Sequence, residues 1–421
     1  MVDEITRTQP DDSVRVFKAG LAALRRRKRF VPYRASGAFA EELRSLIAHL
    51  DDHVDPRTGV ELMAAFYWAD AAVFELCDDS DGMVGDVFRF DARDRFVHYA
   101  VQCDDKNWLA GLVFDLLESD DYGVRDSVLD DAARYLPELT LRSLADREWK
   151  AAEATIPQAS PVRDYARDYR LILVEVIARQ LNDPRLFERA RRAHVPELGT
   201  AACTEIARAW LSAGDPVVAL QWLARIDARE TFMAHERDEL LGTIYRQLGR
   251  RDELEQLVWK RFRASWSRET LDQLLTVIGA EHRANVVAEA TAAILHTIPF
   301  VAGSAAFLLE CGRAEDAADY IVMRRVHVDG DYWSGLLPLA RGLEEAGQPL
   351  AATVVYRALL DSILARAQTR TYGHGARYLR RLGELSHAVA DWKGVSPHGE
   401  YAASLREHHA RKTSFWKLVP G

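Results

Sequence analysis

Cysteine is scarce in this 421-residue chain, which carries only Cys77, Cys103, Cys203 and Cys311. These residues lie far apart, and no two have the CxxC spacing of a zinc knuckle or a redox pair. Proteins held together by a disulfide framework carry cysteine at a much higher density. We therefore expect four reduced cysteines within the hydrophobic core.

Long apolar stretches are also missing, since no run approaches the roughly 20 residues that a membrane-spanning helix needs. The first residues, MVDEITRTQPDD, are polar and acidic and lack the apolar segment of a secretory signal. Glycine (24) and proline (14) are few, while 48% of the residues are hydrophobic and 28% are charged, as in ordered globular proteins. These observations predict a cytoplasmic protein without a membrane partner.

An excess of positive charge is absent as well, because the chain has 55 Lys and Arg but 64 Asp and Glu, which gives a net charge of -9. Such a chain is repelled by phosphate backbones and by anionic membranes, so we do not expect a nucleic-acid partner. The one basic run is Arg25, Arg26, Arg27, Lys28 and Arg29. It is compatible with nucleic-acid or acidic-partner binding, but its lack of interleaved aromatic residues favours a solvated helix face or a contact with the acidic N-terminal region.

Catalytic signatures are missing too, for the chain contains no HExxH, GxSxG or GxxxxGK[ST] motif. Gly373 and Gly375 begin a GxGxxG pattern, but Tyr378 stands in place of the third glycine. We therefore predict a non-enzymatic protein that needs no cofactor or metal. The alternative is an enzyme or a ligand-dependent regulator, with its site in an acidic N-terminal loop or in a His-rich C-terminus.

The acidic loop Asp78–Gly82 begins like an EF-hand calcium loop. With its glycine as loop position six, positions one and twelve are Cys77 and Phe88, so the first carboxylate and the bidentate Glu are both absent. The pattern favours a polar turn whose side chains cap the next helix. Asp79 and Asp81 remain the best candidates for holding a cation.

The C-terminal segment concentrates basic and aromatic side chains: His408, His409, Arg411, Lys412, Phe415, Trp416 and Lys417. Histidine and lysine can act as acids, bases or anion ligands. The competing interpretation, which we favour, is that the aromatic residues dock the tail on the last helices while the basic residues stay in water.

A repeat of glycines is the most informative feature that is present. Six glycines each stand between two amphipathic stretches: Gly214, Gly249, Gly279, Gly312, Gly347 and Gly383. Their separations of 35, 30, 33, 35 and 36 residues are close to the 34-residue tetratricopeptide period. Asn182 stands 32 residues before the first of them and tolerates the same left-handed turn.

Flanking positions share the same period. The residue five after the glycine is small in five of the six cases: Ala219, Ala284, Ala317, Ala352 and Ala388. The residue four before it is always large and apolar: Trp210, Tyr245, Leu275, Leu308, Leu343 and Leu379. A small residue lets two helices approach closely, and large ones suit a core-facing position. The segment therefore resembles the tetratricopeptide family, with Gly279 as its weakest member.

These patterns predict an all-α protein, an α-solenoid of TPR-like helix hairpins with an N-terminal helical subdomain. We expect four segments: a basic N-terminal segment (1–33), the helical subdomain (34–160), the repeat array (161–395), and a C-terminal capping helix and tail (396–421). Repeat arrays of this kind expose a concave groove to extended partners.

Three stretches also resemble an uncharacterised bacterial helical family, a domain of unknown function of which some members follow a SWIM zinc finger. They are RRRKRFVPYRASGAFAEEL, DPRTGVELMAAFYWADAAVFELCDDSDGMVGDVF and YAASLREHHARKTSFWKLV. The family has no established activity, so the resemblance implies a fold and not a function. This chain lacks the clustered Cys and His of the zinc finger, so the resemblance implies no zinc site.

Positions ten, six, three and two before each turn glycine are expected to face the groove. They supply mainly forked donors: Arg208, Arg246, Gln247, Gln273, Arg341, Arg377, Arg380 and Arg381. The same face carries Glu239, Glu269, Glu310, Glu344 and Glu345. Arginine pairs with carboxylates in bidentate fashion, so we expect a protein-binding scaffold that takes an acidic peptide or a chain terminus. The alternative is a solvated helix face of mixed charge.

Overall fold

The computed structural model describes residues 10–118, 120–154, 165–195 and 197–419. These residues form helices joined by turns, and the only β-type pairing among them is one parallel bridge between Val31 and Cys77. The all-α class predicted from the sequence is confirmed. The chain divides into two compact units, residues 1–244 and 245–421. The boundary predicted at residues 160 and 161 lies outside the described residues and stays a prediction.

The first unit contains twelve described α-helices, and α13 (Ala234–Leu248) crosses the division between the units. They are α1 (Pro10–Arg25), α2 (Ser36–Ala48), α3 (Pro56–Tyr67), α4 (Asp70–Phe74), α5 (Met83–Asp86), α6 (Arg93–Gln102), α7 (Lys106–Glu118), α8 (Glu138–Ala154), α9 (Tyr165–Gln180), α10 (Pro184–His194), α11 (Thr200–Ser212) and α12 (Pro216–Leu223). A π-helix spans Val87–Ala92, and 3₁₀ helices span Tyr33–Ala35 and Arg125–Arg134.

Aromatic side chains and one ion pair organise the core of the first unit. The rings of Phe66 and Phe88 lie 4.8 Å apart, and both residues are fully buried. Arg125 donates to both carboxylate oxygens of Asp70, from Nε at 2.8 Å and from Nη2 at 2.7 Å. Both partners are buried, so this bidentate pair ties the 3₁₀ segment to α4 in a low-dielectric setting.

The second unit contains the end of α13 and ten further described α-helices. They are α14 (Arg251–Ala264), α15 (Arg268–Ile278), α16 (Arg283–His296), α17 (Ala302–Glu310), α18 (Ala314–Met323), α19 (Trp333–Glu345), α20 (Pro349–Ala365), α21 (Tyr372–Ser386), α22 (His398–His408) and α23 (Thr413–Trp416). Helices pack in consecutive pairs, α14 on α15, α17 on α18, α19 on α20 and α20 on α21, and across pairs, α17 on α19 and α18 on α20. Packing of one hairpin on the next is the arrangement of an α-solenoid, as predicted.

The turn residues of the repeat end their helices in one common way. Gly214, Gly249, Gly312 and Gly347 have φ between 67° and 83°, and Asn182 has φ of 50°. In each case the N–H of the following residue donates to the carbonyl of the residue four before the turn residue, at 2.8 to 3.0 Å. This is the Schellman helix end, which needs a left-handed residue and so favours glycine or asparagine.

Two members of the repeat depart from the predicted register. Gly383 lies inside α21, so the prediction of a turn there is wrong, and the left-handed residues that follow this helix are Lys393 and Gly394. Gly279 does end α15, but a 3₁₀ turn inserted after it shifts the next helix. As a result Ala284 is exposed, and Ala388 is exposed after α21, whereas Ala219, Ala317 and Ala352 are fully buried.

Candidate functional site

The predicted groove residues fall in both compact units. Arg208 belongs to the first unit, where it lines a cavity of about 200 Å³ between α9, α10 and α11 together with Arg179 and Glu205. The other seven belong to the second unit: Arg246, Gln247, Gln273, Arg341, Arg377, Arg380 and Arg381. Arg246 and Gln247 are exposed on α13, and Gln273 on α15 donates to Glu269 Oε1 at 3.2 Å.

Glu344 is the centre at which three helices meet. Its side chain, only 13% exposed on α19, accepts from Arg381 Nε of α21 at 2.5 Å and from the Tyr356 hydroxyl of α20 at 2.6 Å. Arg381 also pairs with Glu384. These hydrogen bonds raise the pKa of Arg381, and burial together with the Glu344 hydrogen bond raises the pKa of Tyr356. Arg381 is thus held in place by two carboxylates.

Tyr378 lies beside this cluster and connects it to further basic residues. Its ring centroid lies 5.6 Å from that of Tyr356 and 6.5 Å from that of His374. Burial raises the pKa of the Tyr378 hydroxyl, and the positive charges of Arg377 and Arg341 oppose that rise. Both arginines are therefore close enough to act on the same phenol.

A cavity of about 410 Å³ opens next to Tyr378, between α19, α20 and α21. We call it the aromatic pocket, and its lining includes Trp333, Leu359, Ile363, His374 and Tyr378. Trp333 remains 63% exposed at the start of α19. A large exposed aromatic ring beside an apolar-lined cavity is a usual feature of protein-binding surfaces.

The four arginines on α19 and α21 differ in whether they already have a partner. Within the part of the chain that the structure describes, Arg341 and Arg380 make no ion pair, and Arg377 contacts only a histidine, His374 Nδ1 at 2.9 Å. Three exposed guanidinium groups therefore remain available beside the neutralised Arg381. We call the four arginines together with Tyr378 and the aromatic pocket the arginine–tyrosine face.

Sequence reasoning identified the arginines of this face but missed its aromatic part. His374 and Tyr378 are four residues apart on α21, so they lie on the same side of the helix. Arg377 and Arg381 have the same i, i+4 spacing. The two pairs together were a visible signal that aromatic and basic side chains share neighbouring sides of this helix. Trp333 had no such signal, because its role depends on packing between helices distant in sequence.

The acidic loop uses its carboxylates to begin α5. Asp79 accepts from the N–H groups of Val84 and Gly85 at 2.8 and 2.9 Å. Asp81 accepts from the Ser36 hydroxyl at 2.8 Å, and Gly82 takes a φ of 74°. The favoured interpretation as a capping turn is confirmed.

Two arginines of the basic run near the N-terminus contact other helices of the first unit. Arg27 pairs with Glu42 at 2.9 Å, and its guanidinium lies 4.6 Å from the Phe39 ring. Arg25 donates to the Ala65 carbonyl at 2.8 Å. These two arginines thus contact the N-terminal helical region, which is one of the two arrangements favoured from the sequence.

The C-terminal tail docks on the last helices, as expected. Phe415 is fully buried and its ring lies 5.6 Å from that of Tyr372 on α21. Trp416 Nε1 donates to the His409 carbonyl at 2.9 Å. Burial lowers the pKa of His409, with help from the nearby charge of Lys412.

Other sequence expectations can be compared with the described residues. Cys77, Cys103 and Cys203 are buried, Cys311 is half-buried, and all four are free thiols. No cluster of three or more His, Cys, Asp or Glu with the geometry of a metal site occurs in the described ranges. None of the helices described is both long and apolar enough to cross a membrane.

Comparison with known proteins gives a family but no activity. No curated protein matches the chain. A solved structure described as "Circular tandem repeat protein with novel repeat topology and enhanced subunit contact surfaces" aligns over 96% of this chain and 90% of its own, at 15% identity. Its TM-score of 0.13 is too low to support any argument about shape or function. The profile of a family described as "Family of unknown function (DUF6880)" matches residues 6–418. This match confirms the resemblance to an uncharacterised family, without indicating a SWIM zinc finger, and the chain belongs to that family.

Proposed function

We propose that this protein is a non-enzymatic binding scaffold whose arginine–tyrosine face holds an acidic peptide segment of a partner protein. The observation that carries the proposal is a set of exposed arginines without carboxylate partners on α19 and α21. The charges of Arg341 and Arg377 act on Tyr378 at the wall of the aromatic pocket, and Arg380 lies on the same helix as Arg377. Exposed guanidinium groups bind carboxylates in bidentate fashion. The net charge of -9 makes such a local excess of arginine a feature of this face rather than of the whole molecule.

The pocket adds a second requirement to the ligand. Its walls combine aliphatic residues of α20 with Trp333 and Tyr378, and its volume of about 410 Å³ suits one bulky side chain. The peptide is therefore expected to carry a large apolar residue flanked by Asp or Glu. The apolar residue supplies affinity by burial, while the flanking carboxylates choose the orientation through the arginines.

Selection from a random peptide library displayed on phage, with the intact chain as bait, tests this proposal. We expect enrichment of peptides with acidic residues around an aromatic or large aliphatic residue, whose affinity falls as salt rises. Enrichment of basic or uncharged peptides would contradict the proposal, and so would affinities that do not change with salt.

A variant with two reversed charges tests whether the peptide binds on this face. The double variant Arg341→Glu with Arg377→Glu is expected to weaken a selected peptide at least about tenfold, because two charge-assisted contacts become repulsive. Arg381 is left intact because its ion pair with Glu344 is part of the packing. The matched control is Arg251→Glu with Arg411→Glu, two exposed arginines of the same unit outside this face, which should leave the affinity unchanged.

A further inference from the structure

A second cavity of about 630 Å³ lies against the helix α20, and none of its residues belongs to the predicted groove set. Its walls are α20, the segment 325–331 and the segment 394–401. The polar side chains that line it are Arg325, Asp329, Asp331, Arg357, Asp361, Ser362, Ser396 and Tyr401. The volume falls in the range of small-molecule sites.

Arg357 is the unusual member of this set because it is a buried cation whose donors are largely unused. It is 8% exposed, and its Nη1 donates to the Ser396 carbonyl at 2.8 Å. Its Nε and Nη2 atoms are buried and have no hydrogen-bond partner. Burial lowers the pKa of this guanidinium. Buried polar groups in folded proteins nearly always have a partner, so these two donors call for an explanation.

An arginine of the first unit shows what the Nε and Nη2 side of a buried guanidinium, its edge, can bind. Arg125 uses Nε and Nη2 to hold both oxygens of the Asp70 carboxylate. The two N–H groups on this side of a guanidinium are parallel and match a carboxylate. Arg357 presents the same pair of donors without a carboxylate.

Aromatic rings cover the guanidinium of Arg357 at present. The Tyr401 ring centroid lies 4.2 Å from its Cζ atom, and that of Trp392 lies 5.3 Å away. Ring faces attract a cation but do not supply the two in-plane acceptor oxygens that the edge requires. The Tyr401 hydroxyl donates to Asp361 Oδ1 at 2.7 Å, and Nε and Nη2 of Arg357 are buried, so a ligand needs a local rearrangement to reach them.

Asp361 supplies an anion in the same cavity that does not pair with the cation. It lies one turn after Arg357 on α20, so the two side chains share a helix face with Cβ atoms about 5–6 Å apart. The two form no ion pair within 4.0 Å in the part of the chain described. Asp361 lines the cavity. Partial loss of hydration raises the pKa of its carboxyl, against the opposing effects of the Tyr401 hydrogen bond and the Arg357 charge. By contrast, Asp331 is satisfied by Arg366 at 3.4 Å and by Ser362.

We propose that this cavity binds a small zwitterion of the α-amino acid class, whose carboxylate takes the Nε and Nη2 edge of Arg357 and whose ammonium group pairs with Asp361. A ligand carrying both charges satisfies the unpartnered cation and the unpaired anion together, whereas an acid or an amine alone satisfies only one of them. This activity is separate from peptide binding, because Arg357 and Asp361 are not part of the arginine–tyrosine face.

Isothermal titration calorimetry of the intact chain with the common amino acids, acetate and ethylamine at equal ionic strength tests the proposal. We expect at least one amino acid to bind, and acetate and ethylamine to bind at least about tenfold more weakly. A change in tryptophan fluorescence should accompany binding, because the Trp392 ring lies 5.3 Å from the guanidinium that takes the ligand. No heat of binding from any amino acid at about 10 mM overturns the proposal, as does acetate binding as tightly as the best amino acid.

Variants then assign the two halves of the site. Arg357→Met should abolish amino-acid binding, and Arg406→Met, which removes a stacked but exposed arginine 5.0 Å from Trp416, should not. Asp361→Asn keeps an acceptor for Tyr401. It should weaken amino-acid binding at least about tenfold and leave acetate binding unchanged. This variant is the decisive one if Arg357→Met fails to fold. Unchanged amino-acid affinity in a folded Arg357→Met or Asp361→Asn protein overturns the assignment. Peptide binding should persist in both, which separates this proposal from the one above.

Discussion

Replacing Asp126 by asparagine is expected to stabilise the protein at neutral pH and to leave its stability unchanged near pH 4. Asp126 lies half-buried in the 3₁₀ segment Arg125–Arg134. Burial, followed by the negative charges of Asp120 and Asp130, raises the pKa of its carboxyl from 3.8 to about 6, against an opposing effect of Arg89. The folded protein therefore holds this proton more tightly than the unfolded chain does.

The sign and the size follow from that difference. Between about pH 4 and pH 6 the folded state binds more protons than the unfolded state, so the free energy of unfolding falls as pH rises through this window. A difference of about two pKa units corresponds to at most ~3 kcal/mol, and partial exposure reduces this to about 1–3 kcal/mol. Asparagine resembles the protonated carboxyl, so it removes this cost above pH 6 and changes little below pH 4.

Urea unfolding followed by circular dichroism at pH 4 and pH 7.5 measures the effect. Asp126→Asn should raise the free energy of unfolding by about 1–3 kcal/mol at pH 7.5 only. The control Asp121→Asn removes the same charge from an exposed neighbour and should change stability by less than about 0.5 kcal/mol at either pH. A gain for Asp126→Asn that is equal at both pH values, or a loss at pH 7.5, would refute the reasoning.

Three further predictions concern packing, turns and the buried ion pair, each measured by urea unfolding. Ala352→Leu should cost about 1–3 kcal/mol because the residue is fully buried between helices, whereas Ala388→Leu at an exposed position should cost almost nothing. Gly347→Ala should cost about 1 kcal/mol at its φ of 70°, and Gly383→Ala inside α21 should stabilise by a similar amount; the reverse order would contradict the revised register. Asp70→Asn should cost about 3–5 kcal/mol by leaving a buried guanidinium without its counterion, and wild-type stability would argue against that pair.

Much of the fold was predictable because helix ends of one type recur. The left-handed residue of a Schellman end excludes most side chains, so Gly214 and Gly347 carry a signal that survives in sequence. A glycine inside a helix carries no such constraint, which is why Gly383 misled the register. The insertion after Gly279 was not visible, because a short 3₁₀ turn has no strong residue preference of its own.

The candidate sites were predictable only in part. Arg341 and Arg377 do lie on helices, α19 and α21, but the register that assigned Arg377 counted back from Gly383, which is inside α21, so their orientation toward a groove stays a prediction. The aromatic pocket depends on packing between helices far apart in sequence, so it could not be read from local patterns. Arg357 was missed because it lies on the second helix of its hairpin, yet an arginine inside the apolar stretch from Val354 to Leu360 was a visible signal.

The central claim is that exposed arginines on the arginine–tyrosine face recognise acidic side chains, and a charge-swap titration tests it most directly. A peptide selected on the wild-type protein and a copy with its acidic residues replaced by lysine are each titrated into wild type and into the Arg341→Glu, Arg377→Glu variant. We predict that the acidic peptide prefers wild type and the lysine peptide prefers the variant, each by at least about tenfold. If the variant loses the acidic peptide without gaining the lysine peptide, or if both proteins bind both peptides alike, recognition does not run through these arginines and the account is contradicted.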